Sequence, residues 1–417
     1  MLHKIIIAAV AVVARVVTAL LSNNRLDIAE YHRWAMSLQD GLFTAYNNMP
    51  YLDYPPLYIP VLWFKGAIIS VFALSEPQAF FLLKSGTMLV DVAACLLLYV
   101  IISKRSSSKI ALIAALTYAL SPAVLMNSAW WGQTDGQIMF FAILLCWLIE
   151  QKHWKTAAVV CAVAALTKMQ GAFLLPILGL ELLRTRDVKQ IGLSAVAFLT
   201  TFVTGLIPFA RHTGGLFGIF SRIYLESAGK YPVASNRAFN FMALLGGSIT
   251  PDYYAPIGQL SFFAIGITIT ATAGVVFSAY YITRKNPDVW LGLAMIIYTI
   301  FMFMPRMHER YMIYIIPLLM IPVFCTYAGK IGLALKGLLA AATVIIFINH
   351  AILMWGMLNQ PTRDLWIGPF EQFVQIMSAV NFVIYLATCF IYIQAQRQRD
   401  DQWPPLSCHP GLDPRIS

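Results

Sequence analysis

Charged residues are scarce in this sequence. They make up 12% of its 417 residues, whereas a soluble domain carries about 25%. Apolar residues make up 59%, and apolar stretches of about 20 residues, the length of a membrane-spanning helix, recur from one end to the other. One large soluble core is excluded, because it would need polar faces between the apolar ones. The sequence therefore predicts an all-α membrane protein that crosses the bilayer many times.

Motifs for nucleotide, metal and disulfide chemistry are also missing. The chain has no P-loop, no GxGxxG after a strand and no HExxH. We therefore predict no cofactor and no metal, and nothing implies a divalent ion. The cysteines have no close pairs and are typical of packing or lipid-facing residues in apolar stretches, except for one in the tail; they are Cys95, Cys146, Cys161, Cys325, Cys389 and Cys408.

The net charge of +10 does not indicate nucleic acid as a partner. Basic loops that face the cytoplasm and anionic lipid explain it better. The candidate spans are 5–22, 79–102, 109–128, 136–150, 156–168, 170–183, 190–209, 258–283, 289–304, 311–328, 336–356 and 373–395. They give about twelve transmembrane helices, with both termini inside.

Residues 57–74 are apolar enough to be a further span, but the distribution of basic residues argues against it. If this segment stays on the outer face, nearly all short basic loops become cytoplasmic, as the positive-inside rule requires. Lys65 lies in its middle, and a centred lysine costs about 3 kcal/mol. We therefore predict an interfacial or re-entrant helix.

With that topology, four clusters share the outer face with Lys168 and the segment 211–240. Acidic, basic and aromatic groups that converge at one membrane face indicate a functional site. The clusters are Asp27 to Trp34, Leu52 to Tyr58, Trp130 to Asp135, and Arg306 to Arg310.

The first two clusters offer carboxylates beside aromatic rings. Asp27, Tyr31 and Trp34 share one helix face by spacing, and rings suit sugars. Asp27 is a candidate general base, which burial beside the rings would strengthen. The alternative of a helix cap with an interfacial aromatic belt is about equally supported. Asp53 and Tyr54 precede two prolines that fix a rigid turn, although this pattern alone favours a helix start.

The middle clusters have comparable alternatives. Trp131, Gln133 and Asp135 could line a sugar pocket, but tryptophans also mark the interface and Asp135 could cap the next helix. Lys168 and Gln170 interrupt an apolar hairpin. Lys168 either meets an anion there or extends to the outer surface.

The last cluster places four ionisable groups within five residues. The forks of Arg306 and Arg310, with His308 beside them, match phosphate oxygens, whereas a solvated turn would gain nothing from this composition. The 211–240 segment adds further basic character and contributes Arg237 and Asn240, although its signal is weak alone.

Taken in order, these motifs resemble the GT-C superfamily of membrane glycosyltransferases. The resemblance is closest to bacterial relatives of the second mannosyltransferase of GPI-anchor synthesis, and more distant to the endoplasmic-reticulum glucosyltransferases that use dolichyl-phosphate-glucose. It covers roughly residues 20–315. It implies a helical catalytic module over 1–315 with amphipathic helices in the first outer loop, variable transmembrane helices over 316–396, and a disordered cytoplasmic tail over 397–417.

The resemblance also implies a reaction. A hexose would be transferred from a polyprenyl-phosphate carrier to a hydroxyl of a glycan or glycolipid, with inversion at the anomeric carbon. Mannose is favoured as the hexose, and glucose is next. The reaction would take place on the periplasmic face of a bacterial inner membrane. Asp27 would be the base, and the phosphate would be held by Lys168, Arg237, Arg306, His308 and Arg310. The sugar and acceptor pocket would be lined by Tyr31, Trp34, Asp53, Tyr54, Trp131, Gln133, Asp135, Gln170 and Asn240.

A transporter or flippase for a lipid-linked or anionic solute is the alternative function. It predicts charges near the bilayer midplane and inverted repeats. Here the charges gather at one face and the sequence shows no repeat. A purely structural membrane subunit is a third possibility, and it leaves the outer-face charges unexplained.

Overall fold

The computed structural model describes residues 1–25, 27–49, 51–359 and 369–401. Over these residues the chain is helical apart from loops and two short strands. By length and composition, six helices can cross a membrane, and a bent pair makes a possible seventh. The predicted class, an all-α polytopic membrane protein, is confirmed.

The first half of the chain contains eleven α-helices. Their bounds are Leu2–Leu21 (α1), Ile28–Ser37 (α2), Ala45–Asn48 (α3), Ile59–Val71 (α4), Glu76–Ser103 (α5), Ser108–Ala119 (α6), Pro122–Leu125 (α7), Asp135–Glu150 (α8), Trp154–Thr167 (α9), Leu175–Thr185 (α10) and Val188–Ala210 (α11). Tighter or wider helical turns extend three of them, at Leu38–Asp40, Met126–Trp131 and Met169–Leu174.

The second half adds seven helices and a two-stranded parallel sheet. The helices are Gly215–Phe220 (α12), Phe241–Leu244 (α13), Phe262–Ile282 (α14), Val289–Phe303 (α15), Ile315–Ile321 (α16), Gly329–Asn359 (α17) and Pro369–Asp401 (α18). The strands are Ser235–Asn236 (β1) and Met307–His308 (β2), paired in register. Further helical turns cover Ser221–Glu226, Ser227–Gly229, Tyr311–Tyr314 and Pro322–Thr326.

All twelve predicted spans coincide with helical structure, but their lengths differ. Five of them correspond to short helices, such as α8 with 16 residues and α9 with 14. At 1.5 Å per residue, α8 and α9 reach about 24 Å and 21 Å, less than the roughly 30 Å of a bilayer core. The short helix α15 is almost wholly buried, so it has no need to present a full span of apolar surface to lipid.

The helix within 57–74 is α4, with 13 residues. At about 20 Å it is too short for a perpendicular crossing, which agrees with the predicted interfacial or re-entrant placement. Lys65 is buried against α5, and its Nζ donates to the Leu83 carbonyl at 2.9 Å. α4 packs on α2, which is amphipathic and buries Tyr31 and Trp34. These helices form a small core of their own beside the main bundle.

Local sequence signals explain several helix boundaries. Ser75 and Gln78 form a capping box at the start of α5, and the Asp288 carboxylate caps α15. Pro122 has no N–H to donate, and the chain bends by 44° there, between α6 and α7. This bend carries the chain into the Met126–Trp131 turns, which lead to the site.

The beginning of the predicted disordered tail is helical, so that prediction is wrong over 397–401. α18 continues to Asp401 because its last turns are anchored. Arg399 donates to Asp288 at 3.3 Å, and Arg284 pairs with Asp400 at 3.3 Å. The rest of the tail, with Cys408, lies outside the described residues. The five described cysteines are free, and Cys95, Cys146 and Cys161 are buried.

Candidate active site

Asp27 lies where the chain turns from α1 into α2. Its φ of 51° is unusual for a residue other than glycine. Its carboxylate does not cap α2; it accepts hydrogen bonds from Nε1 of Trp131 at 3.1 Å and from Nε2 of Gln133. This geometry favours the functional interpretation over the helix cap. Asp27 is exposed, so the expected burial beside the rings is wrong, and the carboxylate is accessible to an incoming molecule.

Aromatic residues support the partners of Asp27, with Tyr31 and Trp34 buried and Tyr54 half-buried. The Tyr31 ring lies 5.7 Å from Trp34 and 5.5 Å from Tyr54. Its hydroxyl contacts that of Tyr54 and donates to Oε1 of Gln133 at 3.4 Å. Burial raises the pKa of both tyrosines well above the ordinary value, so both are neutral phenols. Tyr31, which Tyr54 contacts in turn, binds the amide oxygen of Gln133, and the amide N–H of Gln133 is directed at Asp27.

A second carboxylate, Asp135, is completely buried. It accepts from Nζ of Lys168 at 2.6 Å, from the Tyr314 hydroxyl and from Nδ2 of Asn127 at 3.3 Å. Nε of Arg310 lies 3.7 Å away. Asp135 is therefore not a solvent-facing helix cap, because its carboxylate is enclosed by polar and cationic side chains. Lys168 is also buried, so the alternative of an extended surface lysine is wrong.

The 306–310 segment is not a solvated turn. Glu309 is 2% exposed and pairs with Nη1 of Arg310 at 2.6 Å. Burial raises the pKa of Glu309, although Arg310 opposes this. Burial and then Arg310 hold the pKa of His308 well below its usual value. Because arginine can only donate, the 3.3 Å contact between Nη1 of Arg310 and Nδ1 of His308 makes Nδ1 the acceptor.

The small sheet joins the 230s segment to this cluster. β1 pairs with β2, and a bridge links Arg237 to His308. The Tyr231 ring packs on His308 with centroids 5.4 Å apart. Lys168 and Arg310 thus lie beside Asp135, whereas Arg310 pairs with Glu309, which the charge of Arg237 also reaches.

Three predicted site residues are used elsewhere. Arg306 donates from Nε to Asp252 at 2.6 Å and from Nη1 to the Ala228 carbonyl at 2.9 Å. Asp53 pairs with Lys230 at 2.7 Å. Asn240 is buried, caps α13 through the Ala243 N–H and donates to the Phe301 carbonyl. The structure does not bring these three side chains into the hydrogen-bond networks of Asp27 and Asp135.

Gln170 does join the cluster, together with residues that the sequence prediction missed. Its Nε2 donates to the Tyr311 hydroxyl at 2.7 Å, and Tyr314 follows Tyr311 by one tight helical turn. Lys84 also supports the site, because its Nζ donates to Oγ of Ser22 at 2.9 Å and to the Trp130 carbonyl at 2.8 Å. A lysine within an apolar span was the available signal.

Trp131 connects the two halves of the site. Its indole N–H holds Asp27, and its ring carries the Arg310 guanidinium at 5.1 Å, a cation–π contact. Trp131 therefore contacts both the accessible carboxylate of Asp27 and the cationic cluster that contains Arg310. Among the described residues, no group of three or more His, Cys, Asp or Glu side chains is placed to hold a metal ion. The arrangement can accept a proton at one end and stabilise negative charge at the other.

The model of a family described as glycosyltransferase family 87 matches residues 51–305. The matched region includes Trp131, Gln133, Asp135 and Lys168, begins after Asp27 and ends before the Arg306 to Arg310 segment. No curated protein matches the chain.

Proposed function

The chain belongs to glycosyltransferase family 87, and we propose on that premise that it is an inverting hexosyltransferase whose sugar donor is a polyprenyl-phosphate sugar. Membership of the family implies a sugar donor and an acceptor. It also favours an enzyme over the transporter alternative. The carrier, the sugar and the side of the membrane are our proposal, with mannose favoured and glucose next.

The observation on which the proposal rests is that Trp131 contacts both Asp27 and Arg310. It fixes Asp27 through its N–H and lies under Arg310 with its ring. A reaction that removes a proton at one point and releases an anion a short distance away needs this pairing of base and cation. Transfer from a sugar phosphate is such a reaction.

The proposed mechanism needs one base and no strong acid. Asp27 takes the proton of the acceptor hydroxyl as its oxygen bonds to the anomeric carbon. The bond from that carbon to the phosphate oxygen breaks, and its electron pair leaves with the polyprenyl phosphate. The phosphate gains one negative charge, which Lys168 and Arg310 stabilise. Since attack and departure occur on opposite faces of the sugar, the configuration inverts.

We propose fewer phosphate-binding residues than the sequence predicts. Arg306 is committed to Asp252, so we assign the phosphate to Lys168 and Arg310, with Arg237 and neutral His308 beside them. Asp135 then holds the two cations in place between turnovers. We propose that Tyr31, Trp34 and Tyr54 line the sugar and acceptor side.

The outer face is proposed from the charge distribution. α8 runs from Asp135 in the site to Glu150, which pairs with Arg105, so the site and this basic loop lie at opposite ends of one helix. If the basic loops face the cytoplasm, the site faces outward. The acceptor would then be a lipid-linked or cell-envelope glycan on the outer face of the membrane, and nucleotide sugars are absent from that face.

The test of the sugar donor supplies purified protein and acceptor in detergent, which removes sidedness. Polyprenyl-phosphate mannose and glucose are compared with the matching nucleotide sugars, and Asp27→Asn serves as the inactive control. We expect transfer from a polyprenyl-phosphate sugar. Transfer from a nucleotide sugar alone would refute the proposal.

Sidedness has a separate test. In a variant without its six native cysteines, a cysteine at Gly229 should label from outside the cell. Nothing lies within 4 Å of a Cβ there, so the substitution is tolerated. Cysteines at exposed Ser107 and Lys285 should label only after permeabilisation, and outside labelling at Ser107 would place the site on the cytoplasmic face.

A further inference from the structure

Two adjacent residues of α17 contact separate parts of the candidate site. Asn349 is 4% exposed and His350 is completely buried. α17 lies beyond the region matched by the family and beyond residues 1–315, over which the resemblance implies a catalytic module. Neither residue takes part in the proposed mechanism.

His350 packs against Trp131. The ring centroids are 5.8 Å apart and the rings are nearly perpendicular, at 86°, which is a favourable edge-to-face geometry. Leu353 and Met354, one turn further along α17, complete the packing around the indole. The indole N–H donates to Asp27, so the orientation of this ring sets the position of the proposed base.

Asn349 holds the turn that carries Arg237. Its Nδ2 donates to the Arg237 carbonyl at 2.8 Å, and its Oδ1 accepts from the Phe239 N–H at 3.2 Å. One side-chain amide thus bonds the backbone on both sides of Ala238. Arg237 has a φ of 57°, a conformation that non-glycine residues adopt only when their surroundings hold them in it. The backbone of Arg237 also bridges to His308.

We propose that α17 completes the active site through these two positioning residues. His350 sets the base side through Trp131, and Asn349 sets the cation side through Arg237. The inference deepens the proposed function and rests on it. It also assigns part of the site to the C-terminal helices, which the family resemblance implies to be variable.

The two residues should affect different kinetic constants. His350→Ala removes the ring behind Trp131 and should lower kcat about tenfold with little change in KM for the sugar donor, whereas His350→Phe should restore most of it, because it replaces the edge contact. Asn349→Leu loses both hydrogen bonds and should raise the KM for the sugar donor about five- to tenfold. Thr343→Val is the matched control on α17, since its hydroxyl bonds only within the helix.

Double-mutant cycles separate positioning from general damage. His350→Ala should add little to Trp131→Phe, which keeps a ring but lacks the N–H, and should be additive with Arg237→Ala. Asn349→Leu should show the reverse pattern. Additivity in every cycle, or equal losses from Thr343→Val, would overturn the proposal. Melting temperatures identify variants that simply fold poorly.

A binding measurement distinguishes failure of this inference from failure of the proposed function. Polyprenyl phosphate, the proposed product, should raise the melting temperature of the purified full chain, and Asn349→Leu should reduce that increase while His350→Ala leaves it intact. If polyprenyl phosphate does not stabilise the wild-type chain, the proposed sugar donor and this inference fail together. If it stabilises both variants like the wild type, and the cycles are additive, only the role of α17 is refuted.

Discussion

Replacing Arg310 tests the assignment of the phosphate site most directly. The guanidinium lies over Trp131, and its Nε is 3.7 Å from Asp135; in the proposed mechanism it faces the charge that develops on the leaving phosphate. Losing one such contact typically costs about 2.7–4 kcal/mol of transition-state stabilisation, or about 10²–10³ in kcat. We expect Arg310→Ala to slow transfer by that factor.

The same substitution leaves Glu309 buried without its partner. Breaking a buried ion pair costs roughly 3–5 kcal/mol of stability, which could be mistaken for a catalytic loss. The double variant with Glu309→Gln removes that stranded charge and should recover stability but not transfer. Arg310→Lys should recover part of the transfer, because a point charge lacks the planar fork.

Arg306 provides the matched control. It has the same chemistry four residues earlier, but its Nε is bound to Asp252. Arg306→Ala should lower the free energy of unfolding by about 1–3 kcal/mol, because it leaves the buried Asp252 carboxylate without this partner, and should leave kcat close to that of the wild type. The assay measures kcat and KM for the sugar donor in detergent, with melting temperatures in parallel. An Arg306→Ala loss as large as that of Arg310→Ala, at an unchanged melting temperature, would refute the reasoning.

Three further outcomes are expected. Asp27→Asn should slow single-turnover transfer by about 10² or more, as for loss of a general base; near-normal transfer would return Asp27 to a structural role. The pKa of His308 is lowered in the folded protein. Its contribution to stability is therefore complete above about pH 6.5 and is lost as the pH falls below that value, because the unfolded chain takes up the proton first. His308→Gln should flatten the fall in melting temperature between pH 6.5 and pH 5. Chelation with EDTA should leave transfer unchanged, because the proposed mechanism uses only side-chain cations to bind the phosphate; a loss restored by Mg²⁺ would contradict this.

Composition and hydropathy predicted the fold class and the helical segments because burial in a bilayer imposes a strong, local requirement on sequence. They did not separate lipid-facing helices from buried ones. α15 is as apolar as a spanning helix yet has only 15 residues and is almost wholly covered by its neighbours. Likewise, the end of α18 depends on Asp288 and Arg284, which are more than a hundred residues away along the chain.

The site was predicted at the level of motifs but not of partners. The sequence pointed to the 306–310 segment, yet could not distinguish Arg306 from Arg310, because the difference arises from Asp252 in a separate loop. Asp135 was predicted to face a sugar or to cap a helix, whereas Lys168, from the next hairpin, neutralises it. Such pairings depend on distances that only the folded bundle sets.

Charge within a span is a signal for a functional site, but Arg15 shows why it cannot be applied alone. Its Nε pairs with Asp91 at 3.2 Å, and both side chains are buried. Its Nη1 donates to the Ala119 carbonyl at 3.1 Å, where α6 ends ahead of Pro122 and that carbonyl has no continuing helix to bond it. Arg15 thus stabilises the bend that brings Trp131 to Asp27, because its guanidinium donates a hydrogen bond to the backbone carbonyl at that bend. A span that must bend needs a polar partner for its free carbonyl, so an intramembrane charge can mark the bend that builds a site as well as the site itself.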